Sequence, residues 1–172
     1  MTKPVINIGD IELKPRPAAH APTGAAAERY DARIGRVGMR IGARQLGYNV
    51  TAVPPGMRAF PRHSHRVNEE MFFVLQGTGE VRFSSGTYPI GPGDFIACPA
   101  GGEETAHQIV NTGAEELRFL AVSTMRSPEV CDYPDSGKFG LYAEFADAAG
   151  GKPQQLRFVG RHTQGMDYWE GE

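Results

Sequence analysis

From residue 45 onward the chain is a succession of short apolar runs, each closed by a turn former, and this texture most narrows the folds open to it. QLGYNVTAVPPG, EMFFVLQGTGEVRFSSG, DFIACPAG, HQIVNTG and ELRFLAVSTM are rich in Val, Phe, Ile and Tyr and end in Gly, Pro, Asn or Ser. Such residues suit a pleated, half-buried surface, while the closing residues supply turns. Turn signals recur about every ten residues, as expected for a β-sandwich or barrel. The chain's 22 glycines and 13 prolines are scattered rather than blocked, which fits many tight turns. No helical period of useful length separates the strands, so a βαβ architecture is disfavoured. QGTG and SSGTY read as tight hairpins. The expectation is an all-β fold.

At 172 residues the chain is long enough for one domain with a real core. Three regions are expected: an N-terminal arm over 1–42, a barrel over 43–125, and a C-terminal extension over 126–172. The arm is Pro/Ala-rich, then carries Arg33, Arg36, Arg40 and Arg44 at near-helical spacing. Gly35, Gly38, Gly42 and Gly47 argue against a basic helix there, and an extended arm with solvated arginines is the better reading. Charge is uneven. Residues 1–66 hold eleven Lys/Arg against four Asp/Glu, and the remainder holds seven against sixteen. The arginine-rich first third should therefore pack near later acidic segments, within one chain or across a dimer.

Several classes fall away. The net charge of −2 argues against nucleic acid. No apolar run approaches the ~18 residues of a membrane span, and the first thirty residues lack a signal-peptide core. The two cysteines, Cys98 and Cys131, form no CxxC pair, which suits a reducing compartment. A soluble cytoplasmic protein is expected.

The chemistry concentrates in PRHSHRVNEE, residues 61–70. Residues i and i+2 of a strand share a face, so His63 and His65 should project together. In the next strand Glu70, Phe72 and Val74 share one face, and Glu69, Met71 and Phe73 the other. Both faces are apolar, so one glutamate is expected to be carried inward. A buried, isolated carboxylate is costly unless it meets a cation or is protonated. A third imidazole, His107, follows in AHQIVN, on one face with Ile109 and Asn111. Three imidazoles and a carboxylate suit one divalent Fe, Mn, Ni, Zn or Cu ion. Glu69 is expected to be solvated, Asn111 to bond local backbone and Gln108 to face away from His107. Cys98, Phe72, Val74 and Ile109 should fill the barrel, and Trp169 should pack against the last turn.

At this point the residues resemble the cupin superfamily. GMRAFPRHSHRVNEEMFFVLQG is similar to its first motif, with Gly56 opening, His63, His65 and Glu70 in ligand positions, and Gly77 closing. GDFIACPAGGEETAHQIVN is similar to the second, with Gly93, Pro99, Gly101, His107 and Asn111. There is one extra residue between Gly56 and His63, and five residues instead of two between Gly101 and His107. SPEVCDYPDSGK resembles a subgroup of small single-domain bacterial cupins, some of them named sugar-phosphate isomerases by analogy. The resemblance implies a double-stranded β-helix, or jelly-roll barrel, metal ligands His63, His65, Glu70 and His107, and a homodimer.

An open coordination position beside a dry cavity allows an oxygenase with a redox-active ion. With any divalent ion it allows an isomerase or lyase that polarises a carbonyl. The latter needs a base, for which Tyr48, Tyr88, Glu103 and Glu104 are unranked candidates. A metalloenzyme acting on a small molecule is the preferred expectation. A non-catalytic, metal-dependent binding protein for a sugar or organic acid is the alternative.

Overall fold

A computed structural model describes residues 3–147 and 151–172. Among the described residues thirteen strands account for most of the regular structure: β1 (Lys14–Pro15), β2 (Arg33–Arg36), β3 (Leu46–Val53), β4 (Ser64–His65), β5 (Glu70–Gln76), β6 (Gly79–Phe83), β7 (Gly86–Ile90), β8 (Phe95–Cys98), β9 (Gln108–Val110), β10 (Leu117–Thr124), β11 (Glu129–Tyr133), β12 (Lys138–Phe145) and β13 (Gln154–Gly160). The helical content among the described residues is short 3-10 turns, and no helix is long and apolar enough to cross a membrane.

One sheet runs β1-β2-β3-β10-β5-β8. Against it lie β7-β6-β9 and β13-β12-β11-β4. The last two are tied by an antiparallel bridge between His63 and His107, immediately before β4 and β9. Between the layers pack Val53, Phe72, Val74, Val81, Ile96, Ile109, Leu117 and Phe119, all buried. Each side chain of this size contributes ~1.5–3 kcal/mol when taken fully out of water. The core therefore seals the floor beneath the polar residues at one end of the barrel. The fold is the expected all-β jelly roll, with Phe72, Val74, Ile109 and Cys98 in its filling.

Both flanking regions enter the sheets. β2 pairs with β3, so the arm extends the large sheet rather than lying over it. β11 pairs with β4, which brings the C-terminal region against the strand of His63 and His65. Residues 1, 2 and 148–150 of these regions lie outside the described residues. SSGTY forms the expected β6–β7 hairpin. QGTG does not join a hairpin: β5 pairs with β10 and β8, while β6 pairs with β7 and β9. The chain changes sheets there through Gly77, at φ 77°. A Cβ on Gly77 would come within 2.5 Å of the Glu116 carbonyl oxygen.

Part of the charge asymmetry is met within the chain. Arg33 pairs with Glu116, Arg62 with Asp135 at 3.3 Å and Arg66 with Asp132 at 2.5 Å. Trp169 is 72% exposed and meets Tyr168 edge-on, so it does not anchor the last turn to the core.

Candidate metal centre

Strand parity brings the predicted ligands together. His63 and His107 exchange both backbone hydrogen bonds, His63 N to His107 O at 3.1 Å and His107 N to His63 O at 2.8 Å. Directly opposed residues of this kind present side chains on one face. His65, two residues on, shares that face. Glu70, first in β5, approaches from the opposing sheet, while Glu69 is exposed. The imidazole Nε2 atoms of His107, His65 and His63 lie 3.2, 3.3 and 3.8 Å from the same Glu70 Oε2.

Each ring is aimed by its other nitrogen. His63 Nδ1 lies 2.9 Å from the Pro61 carbonyl and His107 Nδ1 3.3 Å from the Thr105 carbonyl. These contacts favour the tautomer whose bare Nε2 faces inward. His65 Nδ1 instead faces Cys131 Sγ at 3.3 Å and Glu129 Oε2 at 3.4 Å. Its Nε2 is buried without a hydrogen-bond partner of its own, despite lying close to Glu70. Convergent Nε2 atoms, one of them orphaned, around a buried carboxylate oxygen fit a divalent cation. Imidazole and carboxylate are the donors that such ions take.

Without an ion the charges divide unevenly. For Glu70, burial opposes ionisation, but the His107 hydrogen bond and His65 outweigh it and hold the carboxyl below its usual range. His63 is pushed down to about 4 by burial, with His107 adding repulsion. For His65, burial again disfavours the charge, but the Cys131 and Glu70 contacts prevail and raise it to about 11. The metal-free site therefore holds an ionised Glu70 beside a protonated His65.

Glu129 and Cys131 were missed by the sequence reading. Glu129, Cys131 and Tyr133 alternate along β11, and this period-two pattern was the available signal. Glu129 Oε1 accepts from Val67 N at 3.1 Å and Val130 N at 2.9 Å. Its Oε2 accepts from Asn68 N at 2.9 Å and from Asn68 Nδ2. His65, Glu129 and Cys131 also cluster closely enough to be weighed as a second cation site. The Glu129 oxygens are already committed to N–H donors, however, so its evident work is to clamp residues 67–68, between the ligand positions, and to face His65. Asn111 bonds the Glu115 carbonyl at 2.8 Å, the local backbone contact expected of it, and also the Val53 carbonyl of the distant β3 at 2.8 Å. Gln108 bonds the Phe60 carbonyl at 2.8 Å and accepts from Arg82 at 2.7 Å.

A cavity of about 470 Å³ opens onto His63, His65 and Glu70. Its walls include Phe60, Phe72, Asn49 and Asn68, with Glu129, Cys131, Tyr133 and Tyr142 from the C-terminal strands and Arg16 from the arm. None of Tyr48, Tyr88, Glu103 and Glu104 lines it. Tyr88 packs on Phe83, and Glu104 folds back onto Gly102 N at 2.7 Å. The ionisable groups that line the cavity from the C-terminal strands are instead Glu129, Cys131, Tyr133 and Tyr142.

Residues 49–123 match the family model described as "Cupin domain". This segment is a cupin-type domain. The chain superposes on a crystal structure from Silicibacter pomeroyi described as a sugar phosphate isomerase from a cupin superfamily. The TM-score is 0.74 at 26% identity, covering 93% of this chain and 94% of that one. A putative sugar phosphate isomerase from Acidithiobacillus ferrooxidans gives 0.70 at 24% identity, covering 90% and 92%, a likeness of fold. An uncharacterized protein of Methanocaldococcus jannaschii is 31% identical over 71 residues, 41% of this chain and 54% of that protein. The chain thus spans about half the length of that curated relative.

Proposed function

We propose that this cupin is a metal-dependent enzyme of the isomerase or lyase type, acting on a small carbonyl or hydroxy compound at a divalent ion held by His63, His65, Glu70 and His107. The observation that carries this reading is the convergence of three Nε2 atoms on one Glu70 oxygen at the end of a 470 Å³ cavity. The fold likeness to the Silicibacter pomeroyi protein described as a sugar phosphate isomerase supports a substrate of that general size and polarity.

The ion, when bound, would supply Lewis acidity to a substrate oxygen and so acidify a neighbouring C–H. The chain's own residues do the rest. Phe60 and Phe72 keep the cavity wall apolar, which strengthens every charge interaction inside it. Tyr133 and Tyr142 share a hydroxyl contact of 3.2 Å at the wall. Burial, reinforced by the Tyr142 contact, pushes the Tyr133 phenol well above its ordinary value. It therefore stays protonated and serves as a hydrogen-bond donor rather than a base. Cys131 and Glu129 are the other ionisable groups at hand, both fixed against His65.

The test is metal analysis of the purified protein, followed by solvent-deuterium incorporation into aldose and ketose phosphates. Stoichiometric divalent metal with metal-dependent exchange is expected. Metal-dependent oxygen uptake without exchange would move the reading to a dioxygenase. Tight ligand binding without turnover would make the protein a metal-dependent binding module.

A further inference from the structure

We propose that Arg16, on the N-terminal arm, is the anion-recognising residue of the cavity, and that the cavity's ligand carries a terminal oxyanion, carboxylate or phosphate, alongside the atoms that face the metal centre. This deepens the functional reading above and rests on it for the role of the ion.

Among the arginines of the basic first third, Arg16 is the one placed half-buried on the arm in the wall of this cavity. Arg33, Arg62 and Arg66 each meet a carboxylate. Arg16 makes no ion pair among the described residues, although it is half-buried. Its guanidinium donates to the Ala59 carbonyl and lies over the Phe60 ring, 4.4 Å from the centroid. The Phe60 ring is in turn 6.2 Å from the His63 ring. Arg16, Phe60 and His63 line the same cavity, so it presents a cation and two of the candidate imidazole ligands to one ligand-sized space.

An arginine held this way has a clear use. The Ala59 contact and the Phe60 ring fix the side chain, and a guanidinium has five N–H donors, so one backbone acceptor leaves most of the fork free. A preorganised fork matches the two oxygens of a carboxylate or phosphate and loses little freedom in binding them. Charge balance points the same way. Glu70 and Glu129 are the carboxylates of the cavity wall, and Arg16 is its arginine. With neutral imidazoles, a divalent ion plus Arg16 exceeds the two carboxylates of the wall by one charge, which Asp31, attracting Arg16 from outside that wall, offsets only in part.

The experiment compares charged and neutral versions of two simple probes on manganese-loaded protein. Glycolate is set against glycolamide, and glycerol 3-phosphate against glycerol, by isothermal titration. Wild type is expected to prefer the charged member of at least one pair. R16Q, which removes both the charge and the fork, should weaken that member by about tenfold or more and leave the neutral one unchanged. R16K should fall between, because it keeps the charge and loses the fork. Loss confined to glycerol 3-phosphate identifies a phosphate ligand, and loss confined to glycolate a carboxylate. Metal content and melting temperature of both variants serve as the control for folding. No charged preference in wild type, or equal affinity in R16Q, overturns the inference. Wild type that takes up no metal defeats the metal-centre reading instead, and the same titrations on metal-free protein then decide the role of Arg16 alone.

Discussion

Changing Glu129 to glutamine swaps one oxygen for an NH₂ group, yet the structure leaves that group nowhere to point. Glu129 Oε1 accepts from the Val67 and Val130 amides, and Oε2 from the Asn68 amide and side chain. In one orientation the new NH₂ faces both Asn68 donors. Flipped, it faces Val67 N and Val130 N. Either way two donors lose their acceptor in a residue that is only 6% exposed. An unmatched buried donor costs ~1–3 kcal/mol, so the pair costs about 2–6 kcal/mol. Removing a buried charge returns some desolvation energy and pulls the total towards the lower end.

For a domain of this size, ~1 kcal/mol moves the melting temperature by about 2–4 °C. Metal-free E129Q should therefore melt on the order of 5–15 °C below wild type. The same change should loosen His65, whose Nδ1 faces Glu129 at 3.4 Å, and weaken metal affinity by roughly 10–100-fold. Calorimetric melting of the metal-free forms and metal competition against a chromophoric chelator measure the two effects. E144Q, at an exposed acid, is the control and should do neither. If E129Q melts like wild type and keeps its metal affinity, the clamp assigned to Glu129 does not exist.

Metal affinity should rise with pH. His65, raised to about 11, carries a proton at neutral pH that a divalent ion must displace, whereas His63, lowered to about 4, carries none. Between pH 7 and 9 the apparent affinity should climb about tenfold per unit with release of about one proton, which titration in buffers of different ionisation enthalpy reads; a flat profile refutes it. In the metal-free fold the sign reverses: the stability from protonated His65 is complete below its unfolded value near 6.5 and is lost as pH climbs through about 11. Replacing Gly77 with alanine combines a left-handed backbone with a 2.5 Å approach to the Glu116 carbonyl, so it should destabilise by more than ~1–2 kcal/mol, and an unchanged denaturant midpoint counts against the sheet-switch argument. The outer strand β13 exposes Leu156, Phe158 and Val159, and the expected homodimer would cover them; sedimentation as a monomer at micromolar concentration would exclude that use of the strand.

The candidate ligand positions were legible because each is announced by parity over a few residues. His63 and His65 are two apart, Glu70 heads an alternating strand, and His107 immediately precedes another. What remained hidden depends on which strand meets which. QGTG carries hairpin chemistry, but whether the chain turns back or crosses to the other sheet is decided by Gly77 packing on Glu116 and Leu117, about forty residues away. Glu129, Cys131 and Tyr133 show the same alternation as the ligands, yet their relevance appears only once β11 pairs with β4, Cys131 opposite His65. Arg16 has no periodic neighbourhood, and its placement follows from its contacts with the Ala59 carbonyl and the Phe60 ring. A cation site needs residue types that are rare in an apolar strand and so stand out locally. The groups that aim those ligands, or that select what binds beside them, are ordinary acids and arginines, indistinguishable from solvated ones until tertiary pairing buries them. Glu129 therefore looked in the sequence like any member of the acidic second half, and Arg16 like any member of the basic first third.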